Sequence, residues 1–337
     1  FVFCIDTRSE IIRRHVESAG DYETHGYAGF FGVPMRYEGH HADVGIDACP
    51  PIVDPAHRIE DRPSGDHAHR HGKHERWTDA LEGGETVIET LKSNAATAFS
   101  FVETAGSGYG AALAARTLLP RRVHDLIDGI EARVPSPRQF CEPVFDPDED
   151  AESTADTVSE SESDPPRGLP LEARVEYATN AFELMGWEEF ARLVVFAGHA
   201  SETSNNPFGS SLDCGACAGN PGGPNARVLA AICNDDTVRT ELAARGIEIP
   251  EGTVFLAAEH NTTTDEVTLF DEAVPESHID DVERLRADLE TATEGAAEER
   301  AATMSADPAS GDRETRRRAT DWAETRPEWG LAGNAGF

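Results

Sequence analysis

The sequence predicts an α/β protein with a mostly parallel central sheet flanked by helices. Apolar segments at 1–5, 192–198 and 253–258 are rich in β-branched and aromatic residues, and a continuously apolar strand is typical of a sheet covered on both faces. Helical patterns near 9–18 and 172–186 lie between these strands. Alternating strands and helices favour a parallel sheet, because each helix returns the chain to the start of the next strand.

The other predicted elements follow from local patterns. A helix is expected from Pro224, since a proline in the first turn lacks an N–H group that would have no partner there. A strand at 267–270 is expected to pair with the strand at 253–258. An acidic helix is expected to carry four apolar residues on one face, namely Ile279, Val282, Leu285 and Leu289. Further helices are expected near 79–103, 109–118 and 235–245.

Composition divides the chain into two parts of one α/β core, 1–143 and 169–337, with C-terminal helices in the second part. An acidic insertion at 144–168 separates them. From Asp146 to Asp164 there are nine acidic residues and no basic ones. Such a segment buries too little apolar surface to offset the entropy lost on ordering. We therefore expect the insertion to be disordered.

The net charge of −34 bears on possible partners. Nucleic acid and anionic lipid bind basic patches, so neither is expected as a partner. Lys73 and Lys92 are the only lysines, whereas acidic residues number 63. An acidic, lysine-poor surface stays soluble in concentrated salt, where charge repulsion is screened, so we expect a halophile's protein. No apolar run is long enough to cross a membrane, and we expect membrane association to require a partner.

Polar residues with metal-ligand chemistry follow two of the predicted strands. Cys4, Asp6 and Arg8 come at the end of the first strand, and His199 ends the strand at 192–198. A polar loop then leads to Cys214 and a second cysteine three residues later, Cys217. Thiolate, imidazole and carboxylate ligands together suit zinc better than hard cations. If the two strands are neighbours, the sequence predicts a zinc site of two Cys, one His and one Asp, and spacing leaves the choice between the two loop cysteines open.

Each part of this pattern has a simpler interpretation. A cysteine at a strand end is most often a small buried apolar residue. Cys214 and Cys217 form a CxxC sequence, which is also found in redox pairs, although here it lies in a glycine-rich loop. A further group of five histidines lies within 57–76, in what we expect to be a solvated polar loop with at most weak metal binding, and its members are His57, His67, His69, His71 and His74.

The order Cys-x-Asp-x-Arg resembles the metal site of β-type carbonic anhydrases, although fourteen residues separate His199 from Cys214 here, many more than in that family. Longer blocks resemble the DabA family, the zinc-binding large subunit of a two-component inorganic carbon transporter. These blocks cover roughly 1–50, 180–270 and 316–337, and they include FCIDTRSEIIRRHVE, ETHGYAGFFGVP, GHASETSNNPFGSSLDCGACAGNPGGPNARVLA, AEHNTTTDEV and WAETRPEWGLAGNAGF.

The DabA resemblance implies a β-carbonic-anhydrase-like core that binds Zn²⁺ through Cys4, Asp6, His199 and Cys214, with Arg8 as the partner of Asp6. It also implies an integral membrane partner of the DabB type, similar to the proton-channel subunits of respiratory complex I. The expected location is therefore the cytoplasmic face of the cell membrane, as a peripheral subunit. Because the family's chains are longer, this chain resembles their C-terminal part.

The expected function is hydration of CO2 to bicarbonate in an energy-coupled pump, with the catalytic pair Asp6 and Arg8 acting as a gate. Two thiolates and one carboxylate leave a zinc centre with a net charge of −1 and no open position, unless Arg8 draws Asp6 away. His260 is a candidate proton relay. Candidates for hydrogen bonding the anion are Asn205, Asn206, Thr262 and Thr263. Two alternatives remain open: a freestanding β-like carbonic anhydrase and a non-catalytic, zinc-stabilised assembly module.

Overall fold

The computed structural model describes residues 1–146, 164–204, 213–272, 274–304 and 307–322, which form two mixed sheets flanked by helices. The strands are β1 Val2–Cys4, β2 His25–Tyr27, β3 Met35–Glu38, β4 Ile46–Ala48, β5 His57–Pro63, β6 Cys141–Val144, β7 Leu193–Ala200, β8 Val254–Asn261 and β9 Val267–Phe270. The α-helices are α1 Ser9–Ala19, α2 Ala68–Ser93, α3 Ala98–Leu118, α4 Pro120–Glu131, α5 Leu171–Met185, α6 Gly223–Asn234, α7 Asp236–Ala244, α8 Ile279–Thr303 and α9 Gly311–Thr320.

The first sheet has the strand order β2-β1-β7-β8-β9. Its first four strands are mutually parallel, and β9 pairs antiparallel with β8. In the register of β1 and β7, Val2 lies opposite Phe196 and Phe3 lies opposite Ala197. The predicted, mostly parallel sheet is thus confirmed, and the two strands that end in candidate ligands are neighbours.

Both faces of this sheet are covered, which explains why its strands are apolar throughout. Successive residues of β7 point to opposite sides, because side chains alternate along a strand. Phe196 packs into a core cluster with α5, α6 and α7, whereas Val195 packs into a second cluster with α1 and α8. Three of the four residues on the predicted apolar face of α8, Val282, Leu285 and Leu289, belong to that second cluster, whereas Ile279 is 44% exposed.

The second sheet, with the order β4-β3-β5-β6, was not predicted. The expected polar loop at 57–76 was wrong, since β5 occupies its first seven residues and α2 begins at Ala68. In β5 the buried residues are Ile59 and Asp61, two apart, as expected for a strand with one buried face. The alternation was hard to recognise in the sequence because the residues between the buried ones are charged. One of them, Arg58, pairs with Glu38 of the adjacent strand at 3.3 Å.

Helices α2, α3 and α4 form a helical arm that contains no buried residue. The sequence analysis predicted two helices in this region, and the structure has three. Of the twenty large apolar side chains that are exposed in the described residues, thirteen lie on this arm. In the part of the chain that the structure describes, no helix combines the length and apolar character needed to cross a bilayer.

The predicted acidic insertion falls mostly on residues 147–163, which lie outside the described residues. Its two edges belong to the second sheet. Val144 ends β6 and pairs with Glu60, while Arg167 forms a parallel bridge with Arg58. The expected boundaries at 144 and 168 therefore cut into paired backbone. The division of the chain into domains stays a prediction.

A buried ion pair joins the turn after β8 to α8. Asp265 is fully buried and accepts two hydrogen bonds from Arg300, Nε to Oδ2 at 2.7 Å and Nη2 to Oδ1 at 2.9 Å. Burial alone would raise the pKa of Asp265, but the Arg300 charge and the hydrogen bonds from His260 and Arg300 together outweigh burial and lower the pKa. This two-point geometry keeps both charges compensated in the interior.

Arg300→Met is expected to lower the free energy of unfolding by about 3–5 kcal/mol, because Asp265 would remain as an uncompensated buried charge. Arg284→Met on the same helix is the matched control. The Arg284 side chain is 68% exposed and pairs loosely with Asp281, so its loss should cost less than about 1 kcal/mol. Urea denaturation followed by circular dichroism measures both values. Equal costs for the two variants would contradict a structural role for the buried pair.

Candidate metal centre

The loop after β1 places Asp6 and Arg8 in a closed pair. The Arg8 backbone N–H and its Nε each donate to Asp6 Oδ1 at 2.9 Å, and Arg8 Nη2 donates to Oδ2 at 2.7 Å. Burial alone would raise the pKa of Asp6, but the Arg8 hydrogen bonds and charge, together with His199, outweigh burial and lower the pKa to about 2. Asp6 is therefore a carboxylate at neutral pH, held at both oxygens by one guanidinium.

Arg8 also connects this loop to the two other loops of the site. Its Nη1 donates to Thr262 Oγ1 at 3.3 Å, and its Nη2 donates to the Asp213 carbonyl oxygen at 3.1 Å. Asp213 immediately precedes Cys214, and Thr262 follows β8. Only 3% of Arg8 is exposed. The position of Asp6 is consequently linked to three separate segments of the chain.

His199 lies near the end of β7, is fully buried, and has its two ring nitrogens in different surroundings. Nε2 lies 2.6 Å from Ser9 Oγ, and the Ser9 hydroxyl donates its proton to the Cys4 carbonyl oxygen at 3.0 Å. Because that hydroxyl has no second proton, Nε2 must carry the hydrogen and donate it to Ser9. Burial and the nearby His260 hold the pKa of His199 well below its usual value, so Nδ1 carries a free lone pair.

The His199 Nδ1 lone pair faces a carboxylate. Nδ1 has no hydrogen-bond partner, and Asp6 Oδ2 lies 3.9 Å from it. A buried acceptor nitrogen without a donor is unfavourable, whereas a cation bound between Nδ1 and the Asp6 carboxylate would satisfy it. A ligating histidine typically donates its other N–H to a fixed acceptor, as His199 Nε2 does to Ser9. These atoms fit a metal with nitrogen and oxygen ligands.

Three thiols form a second part of the site. Cys4, Cys214 and Cys217 make one buried cluster beside Gly29, where an added methyl group would lie 2.7 Å from the Cys4 sulfur and closer still to that of Cys214. Hydrogen bonds from the thiols of Cys217 and Cys4 lower the pKa of Cys214 to about 4. Cys214 is thus the thiolate of the group, and thiolates are the ligand form of cysteine.

Cys217 differs from Cys214 in having other acceptors for its S–H group. Its sulfur lies 3.4 Å from the Gly29 carbonyl oxygen and 3.6 Å from Asn225 Oδ1. Hydrogen bonding to Cys214, together with burial, raises the pKa of Cys217 far above the usual value. Among the residues that the structure describes, the group with three ligand atoms all within 4.8 Å of one another is His40, His41 and His71. Two pairs of predicted ligands are therefore close, Cys4 with Cys214 and Asp6 with His199. The ligand atoms of the four residues do not form a group within 4.8 Å of one another, and the zinc site stays a prediction.

His260 lies beside His199 on β8, with 5.2 Å between the ring centroids. Its Nε2 lies 3.3 Å from Asp265 Oδ1, and its Nδ1 is buried without a hydrogen-bond partner. Thr262 Oγ1 accepts the bond from Arg8, and Thr263 Oγ1 is buried without a partner. The other two predicted anion-binding residues, Asn205 and Asn206, lie outside the described residues.

Sequence reasoning missed three residues of this site, Ser9, Asp265 and Arg300. Ser9 fixes the tautomer of His199, and the buried Asp265–Arg300 pair supports His260. Ser9 lies next to the predicted Cys-x-Asp-x-Arg pattern, so its position was a usable signal. Arg300 comes 35 residues after Asp265, and no local pattern links the two.

Comparison with known proteins gives one consistent result. The family model described as probable inorganic carbon transporter subunit DabA matches residues 1–337. A protein of that name from Haloarcula marismortui is 62% identical over 336 residues, one from Natronomonas pharaonis is 58% identical over 337, and one from Legionella pneumophila is 39% identical over 338. Each alignment covers 100% of this chain and about 40% of the relative (40%, 40% and 42%).

No solved structure matches this fold. The match to the family model, in contrast, covers the chain from its first residue to its last. The resemblance of the longer sequence blocks to the DabA family is therefore confirmed. The chain belongs to the DabA family of probable inorganic carbon transporter subunits.

Proposed function

We propose that this chain holds the zinc-dependent CO2-hydrating site of an energy-coupled inorganic carbon pump. The observation that carries the proposal is the position of His199 Nδ1. This buried nitrogen has no hydrogen-bond partner and lies 3.9 Å from Asp6 Oδ2. The ligands would be Cys4, Asp6, His199 and Cys214. Zinc bound there would act as a Lewis acid that makes water a stronger acid, which is the chemistry that CO2 hydration needs.

Arg8 gives this site a means of control. Four protein ligands fill a tetrahedral zinc site, and a catalytic site needs an open position. Arg8 binds both oxygens of Asp6, so it competes with a metal for the same lone pairs. When Arg8 holds Asp6, three protein ligands remain. We propose that this exchange of Asp6 between metal and guanidinium is the gate of the pump.

The contacts of Arg8 support a link between the gate and the rest of the molecule. Displacement of the loop at Asp213 or of the turn at Thr262 would move the guanidinium, because Arg8 donates to both. His260 would accept a proton at its free Nδ1 only if water reaches it, since its other nitrogen faces Asp265. Thr263, with a buried hydroxyl that has no partner, is the described candidate for hydrogen bonding bicarbonate, together with Thr262.

The arrangement of the strands supports a β-carbonic-anhydrase-like core. Cys4 and Asp6 come from the end of β1, His199 comes from the end of the adjacent parallel β7, and a cysteine returns from the following loop. We propose that the longer loop between His199 and Cys214 is an elaboration of that plan.

A transporter subunit needs a partner, and we propose that the helical arm binds it. The arm carries exposed apolar residues along all three helices, including Phe99 at 73% and Leu113 at 61% exposure. Clustered exposed apolar residues mark interaction surfaces. The occupant we propose is an integral membrane subunit of the proton-channel-like DabB type, which would hold this chain at the cytoplasmic face of the membrane.

A non-catalytic, zinc-stabilised module is the second candidate. It is favoured by the complete set of four protein ligands, which is typical of structural zinc sites. It does not explain why Arg8 binds both oxygens of Asp6 at the same place. A freestanding carbonic anhydrase is the third candidate, and it would hydrate CO2 without a partner. The Arg8 variants distinguish the pump from the zinc-stabilised module.

Arg8→Met is expected to lower carbon uptake by about 10–100-fold, the usual effect of removing a residue that orients a metal ligand, while zinc content is retained. Arg8→Lys keeps the charge but cannot form the two-point pair, so it should also reduce uptake. Arg14→Met is the control, because Arg14 on α1 is 40% exposed and pairs with Glu299 away from the site. Radiolabelled bicarbonate uptake by cells with both subunits, together with metal analysis, measures these effects. Full uptake in Arg8→Met would remove the gate.

Gly29→Ala is expected to lower the zinc content of the purified protein, because the added methyl group would displace the sulfurs of Cys4 and Cys214. Gly215→Ala is the matched control in the neighbouring loop, where an added methyl group meets nothing within 4 Å. Metal analysis after dialysis measures both. Zinc retained in Gly29→Ala at the level of Gly215→Ala would argue against ligation by this pair of thiols.

Phe99→Glu combined with Leu113→Glu is expected to abolish copurification with the membrane subunit, because both charges would be buried in the contact, and to leave zinc content unchanged. Ile52→Glu is the control, since Ile52 is 94% exposed and lies outside the arm. Affinity purification of the tagged partner from detergent-solubilised membranes measures the loss. Unchanged copurification of the double variant would place the contact elsewhere.

A further inference from the structure

A second group of metal-ligand side chains lies where the helical arm joins the second sheet. His40 and His41 follow β3, and His71 lies in the first turns of α2. One ring nitrogen of each lies within 4.8 Å of the other two. The ring centroids of His40 and His41 are 3.9 Å apart, and those of His40 and His71 are 5.2 Å apart. None of these residues belongs to the centre at Cys4 and His199.

The nitrogens in this cluster lack ordinary hydrogen bonds. His40 Nε2 is buried without a hydrogen-bond partner. His71 Nε2 is also buried, and it lies 3.2 Å from Glu75 Oε1 without the geometry of a hydrogen bond. Neutral imidazole is the form that binds metals. Buried ring nitrogens without partners are costly, and a shared metal ion would satisfy them.

A carboxylate lies beside two of the three rings. Glu75 Oε1 is 3.2 Å from His71 Nε2 and 4.0 Å from His41 Nε2. His71 and Glu75 are four residues apart on α2, so they share one face of that helix. Three imidazoles and one carboxylate make a set of four ligands of the type that zinc takes in tetrahedral sites.

The surroundings hold the rings in place. Phe140 is buried and contacts the rings of His40, His71 and His74, with centroid distances of 5.5, 5.4 and 5.2 Å. His74 Nδ1 lies 2.8 Å from the Pro135 carbonyl oxygen. His41 has a φ of +56°, in the left-handed region, which costs most residues about 1–2 kcal/mol. That conformation places the His41 ring beside His40, so the cost is explained if both bind one ion.

We propose that His40, His41 and His71, with Glu75 as the fourth ligand, form a second site for a divalent transition metal, zinc by preference. Imidazole nitrogens suit this class of ion, whereas calcium and magnesium prefer oxygen ligands. The ion would tie the turn after β3 to the base of α2 and so fix the direction of the helical arm. The His41 side chain is 65% exposed, which lets the ion exchange with solution.

The test is metal stoichiometry of the intact protein, with zinc alone as the probe. His71→Gln and His41→Gln are each expected to bind one equivalent less than the wild type after dialysis. His69→Gln is the matched control, because His69 is exposed on the same helix outside the cluster, and it should bind the wild-type amount. Circular dichroism in the presence of a chelator checks that the variants fold equally. Wild-type stoichiometry in both His71→Gln and His41→Gln would overturn the proposal.

Cobalt substitution separates this site from the thiol centre. Cobalt at the histidine site should give only weak visible bands, whereas cobalt bound by thiolates adds sulfur-to-metal charge-transfer absorption. In a Cys4→Ser, Cys214→Ser variant the sulfur bands should disappear while the bands that depend on His71 remain. Loss of both sets in that variant would overturn an independent second site. Failure of carbon uptake alone would bear only on the proposed function.

Discussion

The parallel pairing of β1 with β7 is the constraint on which the rest of the site depends. Because parallel strands end at the same edge of a sheet, the chain is forced to release Cys4 and Asp6 beside His199, although nearly two hundred residues separate them. Covering helices exclude water from both faces of the sheet. Polar groups at this edge must therefore find hydrogen-bond partners within the protein, and His199 Nδ1 is one that has none.

Each of two adjacent buried histidines faces an aspartate that is paired with an arginine. Asp6 is held by Arg8 and faces His199, while Asp265 is held by Arg300 and faces His260. The histidines lie opposite each other in the register of β7 and β8. In each pair the guanidinium keeps a buried carboxylate ionised. The two pairs differ in exposure. Asp265 is fully buried, whereas the Asp6 side chain is 14% exposed, so only the Asp6 pair reaches the surface of the protein.

The helical arm and the second sheet add a separate layer of organisation. The sheet is connected to the centre through Asn225, whose side-chain amide donates to the carbonyl oxygens of Phe30, Val33 and Ala48. The arm has no core of its own, and its clustered exposed apolar residues are typical of an interaction surface. The histidine cluster lies at the junction between the two. A metal ion there would stabilise the arm without burying apolar surface.

The sequence by itself determined the parallel strands, most of the helices, and the polar residues Cys4, Asp6 and His199 at the strand ends. Uniform apolar runs and the polar residues that end them are local signals. It also determined the family. Only the tertiary structure decided the second sheet, whose alternation was disguised by paired charges at Arg58, and the roles of Ser9 and Arg300. It likewise brought His71 of α2 beside His40 and His41 in the turn after β3. The physical reason is that tautomers, buried charge pairs and ligand groups depend on which distant segments the packed core brings together, and no local spacing encodes that.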